Sequence, residues 1–318
     1  MKQRVLSTRG DLPGTGLGRL GAHVDLVRWT GAGRPQPGDL ARLAPGVAGI
    51  LCLGNDHVDA ALLDAAGPAL RVVSLASMGY DAVDQAAARE RGVVVTHTPG
   101  VLAETTADLA FALVLQARRR LGPARDSLTS GGWTHFAMDG YLGLDVHGAT
   151  LGLVGYGQIG RAMARRAAGF GMRVLHHDPA APDSVPLPAL LAESDVVSLH
   201  VPLTPATRHL IGAAELRTMK PTATLVNTSR GGVVDEAALL AALRSGVLHS
   251  AGLDVFEREP LGADVADLVA ADRLVALPHV GSATEATRAA MVDLAVDNLL
   301  DVLAGRPART PIPEAVPA

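Results

Sequence analysis

Three side chains well separated in the chain, Arg230, Glu259 and His279, combine what is needed to reduce a ketone beside a carboxylate. An arginine fork donates two parallel, charge-assisted hydrogen bonds to a planar carboxylate and keto oxygen. A histidine titrates close to working pH, so it gives a proton in reduction and takes one in oxidation. A carboxylate bonded to the other ring nitrogen fixes the tautomer and favours the imidazolium. Taken singly, each residue reads more readily as surface or structural. Together they gain weight, because each follows a run that reads as a strand: Arg230 after the run opening at Thr224, Glu259 after the run opening at Gly252, and His279 after Arg273–Leu277. Open α/β sheets place their sites at those carboxyl ends.

Such chemistry requires a hydride donor, and Thr150–Ala164 offers a place for one. A strand is followed by Gly155, Gly157 and Gly160 and then by a helix start. The first glycine permits a tight turn, the second lets a pyrophosphate approach the backbone, and the third allows helix and strand to pack closely. The phosphates would meet the free N–H groups of the helix N-terminus. The next strand, Arg173–His177, ends at Asp178, near the spacing expected for the ribose acid. A carboxylate there accepts bonds from both ribose hydroxyls of NAD and repels the 2′-phosphate of NADP, so NAD is favoured over NADP. His176 and His177 would soften that repulsion if protonated; they read as ordinary strand-end residues rather than a metal pair. Gly14, Gly16 and Gly18 imitate a phosphate loop, but the third glycine is misplaced and no ribose acid follows. A mobile surface loop is expected there.

The elements that must carry these residues alternate. Apolar runs read as strands near Arg4–Thr8, His23–Arg28, Val47–Leu53, Arg71–Leu75 and Val93–Thr96, with a helix at Asp81–Arg91 stopped by Gly92. Pro99 and Gly100 mark a hinge, and a long Ala/Leu helix, Leu102–Leu121, follows. A second sheet runs from Thr150 to about Leu277, then a helix Ala283–Leu303 and a tail, Pro311–Ala318, expected to be unstructured. This is the pattern of an α/β protein with two doubly wound parallel sheets. With 318 residues, 48% hydrophobic, 19% charged and only 3% aromatic, the core must be built from Ala, Val and Leu. A net charge of −4 without a basic stripe argues against a nucleic-acid partner. The single cysteine, Cys52, excludes an intrachain disulfide and reads as a small buried hydrophobe; no metal site is expected. No run of 18 apolar residues and no leader-like start occur, so a cytoplasmic protein with no membrane partner is expected.

Gly155–Gly160, Asn227–Gly232, Gly252–Glu257 and Pro278–Thr284 together resemble the D-isomer-specific 2-hydroxyacid dehydrogenase family. The likeness extends to Ser77–Asp81 and Thr98–Ala110, hence over nearly the whole chain, and looks closest to glyoxylate/hydroxypyruvate reductases. It implies an NAD-dependent D-2-hydroxyacid dehydrogenase in which Arg230 binds substrate, His279 is the acid/base and Glu259 supports it. Ser77, Met78 and Gly79 would hold the substrate carboxylate by their backbone, with Arg230 and His279 also touching substrate. Cofactor contacts would come from Gly155, Gly157, Gln158, Ile159, Gly160, Asp178, Val201, Pro202, Thr207, Thr228, Ser229, Asp254 and Gly281, with Asp254 on the nicotinamide side. The resemblance also implies a Rossmann NAD-binding domain at 99–287 and a discontinuous flavodoxin-like substrate domain at 1–98 and 288–318. The two would close about hinges near His97–Gly100 and Gly281–Thr287, and the chain would form a homodimer through Leu102–Leu121. A phosphate-bearing substrate is disfavoured, since Leu51–Asn55 carries no arginine patch. The stretch Asp178–Asp195 is short for the family, so a helix or strand beside the adenine pocket would be missing. Alternatives are action on D-lactate-like acids or phosphite, or an NAD(H)-sensing corepressor-like binding protein.

Overall fold

A computed structural model describes residues 2–262, 271 and 273–313. The chain divides into two units, Met1–Leu102 with Ser282–Ala318, and Ala103–Gly281. The resemblance drew these segments at 1–98 with 288–318 and at 99–287.

Unit 1 holds a parallel sheet of β1 (Arg4–Ser7), β2 (Asp25–Arg28), β3 (Gly49–Cys52), β4 (Val72–Leu75) and β5 (Val94–Thr96), in the order β2-β1-β3-β4-β5. That is the flavodoxin-like winding. Side chains alternate between its faces with period two. Leu6, Ile50, Val73 and Leu75 face α2 (Pro37–Leu43), α3 (Ala60–Ala66) and α4 (Gln85–Glu90). Val5, Leu51 and Val72 face α1 (Gly16–His23) and the last helix, α11 (Glu285–Leu303). Cover on both faces is why β3 and β4 are buried at every residue and read as unbroken apolar runs. Cys52 is among those buried residues, at 1% exposure.

Unit 2 holds a second parallel sheet. Its strands are β6 (Thr150–Val154), β7 (Arg173–His177), β8 (Val196–Leu199), β9 (Thr224–Asn227), β10 (Ser250–Leu253) and β11 (Leu274–Ala276), in the order β11-β10-β9-β8-β6-β7. One face packs on α5 (Ala103–Arg118) and α7 (Gln158–Gly169), the other on α8 (Leu187–Glu193), α9 (Ala213–Thr218) and α10 (Glu236–Ser245). Two doubly wound sheets are thus present. At the outer edge β7 has no further strand among the described residues; the Val185 N–H makes a backbone bond to the His176 carbonyl there. Between Asp178 and Asp195 the chain forms the helix α8 and no strand.

Four local expectations change. Gly14–Gly18 is not a mobile loop: α1 starts at Gly16, which is buried together with Leu17. A Cβ at Gly14 would stand 2.8 Å from Ala289 Cβ, and one at Gly16 would stand 2.9 Å from Val292. The glycines therefore let the start of α1 lie against α11. The helix expected from Asp81 begins only after Asp84, whose carboxylate caps the Ala87 N–H, because Val83 instead bridges Val58. The helix expected over Leu102–Leu121 stops at Arg118, since Arg120 takes a left-handed φ of 51°; a separate α6 (Leu121–Thr129) follows. In the tail, Pro311 bridges Thr96 and the Ile312 N–H bonds to the Val95 carbonyl, so this part is structured. Residues 314–318 lie outside the described residues.

Candidate active site

The unit 2 sheet reverses its winding between β6 and β8, and ligands in such sheets lie outside the carboxyl ends at that point. Gly155 stands there with φ +91°, and a Cβ on it would be 2.5 Å from the His200 carbonyl oxygen, so only glycine fits. Gly157 is the N-cap of α7; it offers no side-chain bond to the free N–H groups, and the first turn, with Gln158 and Ile159, has no acidic residue. A Cβ on Gly157 would meet nothing within 4 Å, whereas one on Gly160 would stand 2.3 Å from the Gly155 carbonyl. An uncapped helix N-terminus with open space before it fits a pyrophosphate.

Asp178 follows β7 directly. Its Oδ2 accepts the Tyr156 N–H at 2.8 Å and its Oδ1 the Ala180 N–H at 3.0 Å. These bonds, Tyr156's first, hold its carboxyl below the ordinary range. The carboxylate thus also ties the glycine turn to the end of β7. His176 and His177 each turn a ring nitrogen to a carbonyl, of Pro182 and Val185, and His176 stacks on Tyr156 at 4.1 Å. No metal-binding group of three or more His, Cys, Asp or Glu occurs among the described residues.

Val201 and Pro202 follow β8, and the Thr207 hydroxyl donates to the Pro202 carbonyl at 2.6 Å, closing that loop on itself. Beyond β9, Asn227 is fully buried. Its Oδ1 accepts the N–H and O–H of Ser229, and its amide donates to the Arg230 carbonyl. Thr228 leaves a buried hydroxyl oxygen without a partner, the kind of atom a bound ligand satisfies. Arg230 then precedes a 3-10 turn, Gly231–Val233. A Cβ on Gly231 would collide with the backbone of Phe256 and Glu257 at 1.8–2.2 Å, so this turn and the loop after β10 meet backbone to backbone.

That contact brings Arg230 into the electrostatic field of Glu259. Glu259 Oε1 accepts the Phe256 N–H at 2.9 Å, and Oε2 accepts His279 Nδ1–H at 2.6 Å. Burial alone raises the Glu259 carboxyl, but the His279 bond and charge, the Phe256 N–H and Arg230 carry it below the ordinary range. Glu259 is therefore ionised, Nδ1 of His279 carries its hydrogen, and Nε2 remains for a substrate. The His279 side chain is half exposed. Its backbone has a left-handed φ of 55°, an uncommon state for a non-glycine residue. Just after it, the two oxygens of the fully buried Asp254 accept the N–H groups of Val280 and Gly281, both at 2.7 Å. The resemblance puts Asp254 beside a nicotinamide; the contacts it makes here hold the His279 loop.

Sequence reasoning missed two residues here. Asn227 was read only as part of a motif, although a buried asparagine after a strand signals a wrapped loop. His200 is partly buried, with Nε2 near Ser198 Oγ at 2.9 Å and a buried Nδ1 without a partner, and desolvation pushes its pKa down to about 4.

In unit 1, Ser77–Gly79 forms a turn whose carbonyls are all engaged, by the Thr98 N–H, His97 Nδ1 and the Ser77 hydroxyl. No acceptor stands opposite the Met78 and Gly79 N–H groups among the described residues. Such a turn presents donors to an anion.

The family model for the D-isomer specific 2-hydroxyacid dehydrogenase, NAD binding domain, matches residues 111–281. A glyoxylate reductase from Korarchaeum cryptofilum is 45% identical over 312 residues, covering 94% of this chain and 92% of the relative. A solved structure from Thermus thermophilus has TM-score 0.91 and 45% identity, covering 98% of this chain and all of that one. An NADPH-dependent glyoxylate/hydroxypyruvate reductase from Sinorhizobium meliloti, solved with NADP and malonate, has TM-score 0.85 and 35% identity, covering 99% and 100%.

Proposed function

The chain belongs to the D-isomer specific 2-hydroxyacid dehydrogenase family, and we propose that it reduces a small 2-keto acid of the glyoxylate or hydroxypyruvate kind to the D-2-hydroxy acid with NADH. The observation that carries the reading is the 2.6 Å bond between His279 Nδ1 and an ionised Glu259, within the field of Arg230. The names of its relatives support the substrate class.

NADH, when bound, supplies the hydride. Arg230 binds the keto acid by its carboxylate and keto oxygen; in unit 1 the Ser77–Gly79 turn is the proposed carboxylate-binding segment. As the keto carbon gains the hydride, His279 Nε2 delivers a proton to its oxygen, and Glu259 stabilises the imidazolium until that transfer. In oxidation the same nitrogen takes the proton back. Gly155, Gly157, Gln158, Ile159 and Gly160 are the residues for the pyrophosphate, and Asp178 for the adenosine ribose. Val201, Pro202, Thr207, Thr228 and Ser229 complete the cofactor set, with Asp254 and Gly281 acting through the His279 loop.

NADH is chosen over NADPH because the Asp178 carboxylate is ionised and would face a 2′-phosphate as a like charge. The Sinorhizobium relative uses the other cofactor, so the two are to be compared directly. Steady-state assays with NADH and NADPH against glyoxylate, hydroxypyruvate, pyruvate and longer keto acids test the proposal. Absence of turnover with every keto acid would remove it.

A homodimer is part of the reading, at a different surface from α5. The Ala107, Phe111, Leu113 and Val114 side chains of α5 are buried in unit 2 itself. Exposed large apolar side chains instead gather between Leu121 and Leu142, with Phe136 and Met138 at 77% and 82% exposure. A cluster of this kind is the usual mark of an interaction surface.

A further inference from the structure

In unit 1 the winding also reverses once, between β1 and β3: the chain leaves β1 for β2 on one side and returns to β3 on the other. The loops at this reversal are Thr8–Gly10, after β1, and Leu53–Asp56, after β3. The connection from β2 to α2, which carries Arg34, emerges at the same edge.

Asp56 sits at the centre, its side chain 1% exposed. It accepts the Thr8 hydroxyl at 2.6 Å, the Leu53 N–H at 2.9 Å, and Arg9 Nη2 and Nη1 at 3.0 and 3.4 Å. With these four donors its hydrogen-bonding capacity is met and its charge is balanced by Arg9. Arg34 is a second cation at a carboxylate already paired. Its Nε stands 3.8 Å from Asp56 Oδ1, too far for a hydrogen bond, and it has no hydrogen bond among the described residues. The group of three therefore carries one surplus positive charge. It was not foreseeable from Leu51–Asn55, because both arginines come from other loops.

The loop that holds Asp56 also touches the substrate turn. A Cβ on Gly54 would lie 2.6 Å from Ser77 Oγ and 3.3 Å from the Gly79 carbonyl oxygen. Ser77–Gly79, with its free amides, and the surplus guanidinium thus belong to adjoining loops at one sheet edge. We propose that Arg34, set against the Asp56–Arg9 pair, is an anion subsite that receives the distal acidic group, carboxylate or phosphate, of a keto acid. This rests on the keto-acid reading above and adds a specificity residue to it. Arg9 locks the loops together, while the Arg34 fork is free to make bidentate contacts with planar or tetrahedral oxyanions.

The test compares wild type, Arg34→Gln and Arg34→Lys on three substrates. Glyoxylate has no distal group, oxaloacetate carries a carboxylate and 3-phosphohydroxypyruvate a phosphate. Arg34→Gln should raise KM for one or both of the last two about tenfold with kcat little changed, leave glyoxylate unaffected, and be partly rescued by Arg34→Lys. The substrate that responds identifies the oxyanion. Equal effects on all three, or none, would overturn the proposal. Calorimetric binding of malonate against acetate, without cofactor, separates the two readings: tighter malonate binding that Arg34→Gln abolishes supports the subsite even if no keto acid is reduced. Malonate binding that is absent, or indifferent to the substitution, counts against it.

Discussion

Asp254 Oδ2 accepts the Gly281 N–H at 2.7 Å, while Oδ1 of the same carboxylate accepts the N–H of Val280. Two consecutive amides after His279 are thereby fixed to a side chain that has no solvent exposure. Burial raises the Asp254 carboxyl, opposed by those amides and by His279. The left-handed backbone of His279 needs such a restraint from the surrounding structure.

Asp254→Asn should release it. The amide keeps one acceptor and turns an NH2 toward the second N–H, leaving a buried donor unsatisfied at a cost of about 1–3 kcal/mol. The expected result is a lower melting temperature and a kcat reduced more than tenfold, with NADH still bound. An unchanged kcat would show that His279 holds its place without Asp254.

His279→Ala should lower kcat by roughly 10²–10⁴, the usual worth of a positioned acid/base, with little effect on NADH affinity measured by fluorescence titration. Glu259→Gln should act in the same direction and also change the acid limb. The wild-type Glu259 carboxyl lies below its ordinary value, so its contribution to stability is fully present above the ordinary glutamate range. It is lost as pH falls through the depressed value. The stability difference between wild type and Glu259→Gln should therefore persist at neutral pH and shrink only in strong acid. A difference that vanishes already near pH 6 would contradict this.

His200 predicts a second, separable dependence on pH. It stays neutral in the fold down to about pH 4, whereas the unfolded chain protonates it near 6.5. Its contribution is thus present above 6.5 and declines as pH falls toward 4, by about 3 kcal/mol in all. Denaturant melts of wild type and His200→Asn between pH 7 and pH 4 should converge as the pH falls. Parallel curves would mean that His200 does not titrate in this window.

Asp178→Asn removes the charge and retains an oxygen for the Tyr156 N–H. The ratio of kcat/KM for NADPH to that for NADH should rise about tenfold or more, since a like charge no longer faces the 2′-phosphate. A wild type that already prefers NADPH would refute the assignment of this carboxylate.

For the dimer, Phe136→Asp combined with Met138→Lys should convert the species seen by sedimentation velocity to monomer. Paired substitutions on α5 at Glu104 and Asp108, which pair with Arg165 and Arg166 of α7, should not. The reverse outcome would place the interface on α5.

Legibility differed between elements for physical reasons. The unit 1 strands were found to within about two residues, because sheets covered on both faces require unbroken apolar runs. The glycine turn was equally plain, since its spacing is set by backbone contacts such as Gly160 against Gly155. Helix starts were less so. The helix was expected from Asp81, but the Val58–Val83 bridge holds the chain extended until Asp84 caps it. Gly14–Gly18 looked like a loop because glycine disfavours helices, yet the approach to α11 outweighs that preference. In the candidate site, the residue types of Arg230, Glu259 and His279 were readable after their strands. The clamping of Val280 and Gly281 by Asp254 was not, because it links positions 26 and 27 residues apart. The meeting of Arg9 and Arg34 at Asp56 was hidden for the same reason.

Unit 1 is made of two segments, one before and one after unit 2 in the sequence. Its β3 and β4 are covered on one face by α11, which follows unit 2 in the sequence and is therefore synthesised after it. On the ribosome, unit 2 can therefore complete its core while that face of the first sheet still lacks α11. The order of maturation runs opposite to the order of the sequence. A translation product that stops before Glu285 would keep a whole nucleotide-binding unit, but its first hundred residues would expose apolar surface to chaperones and proteases.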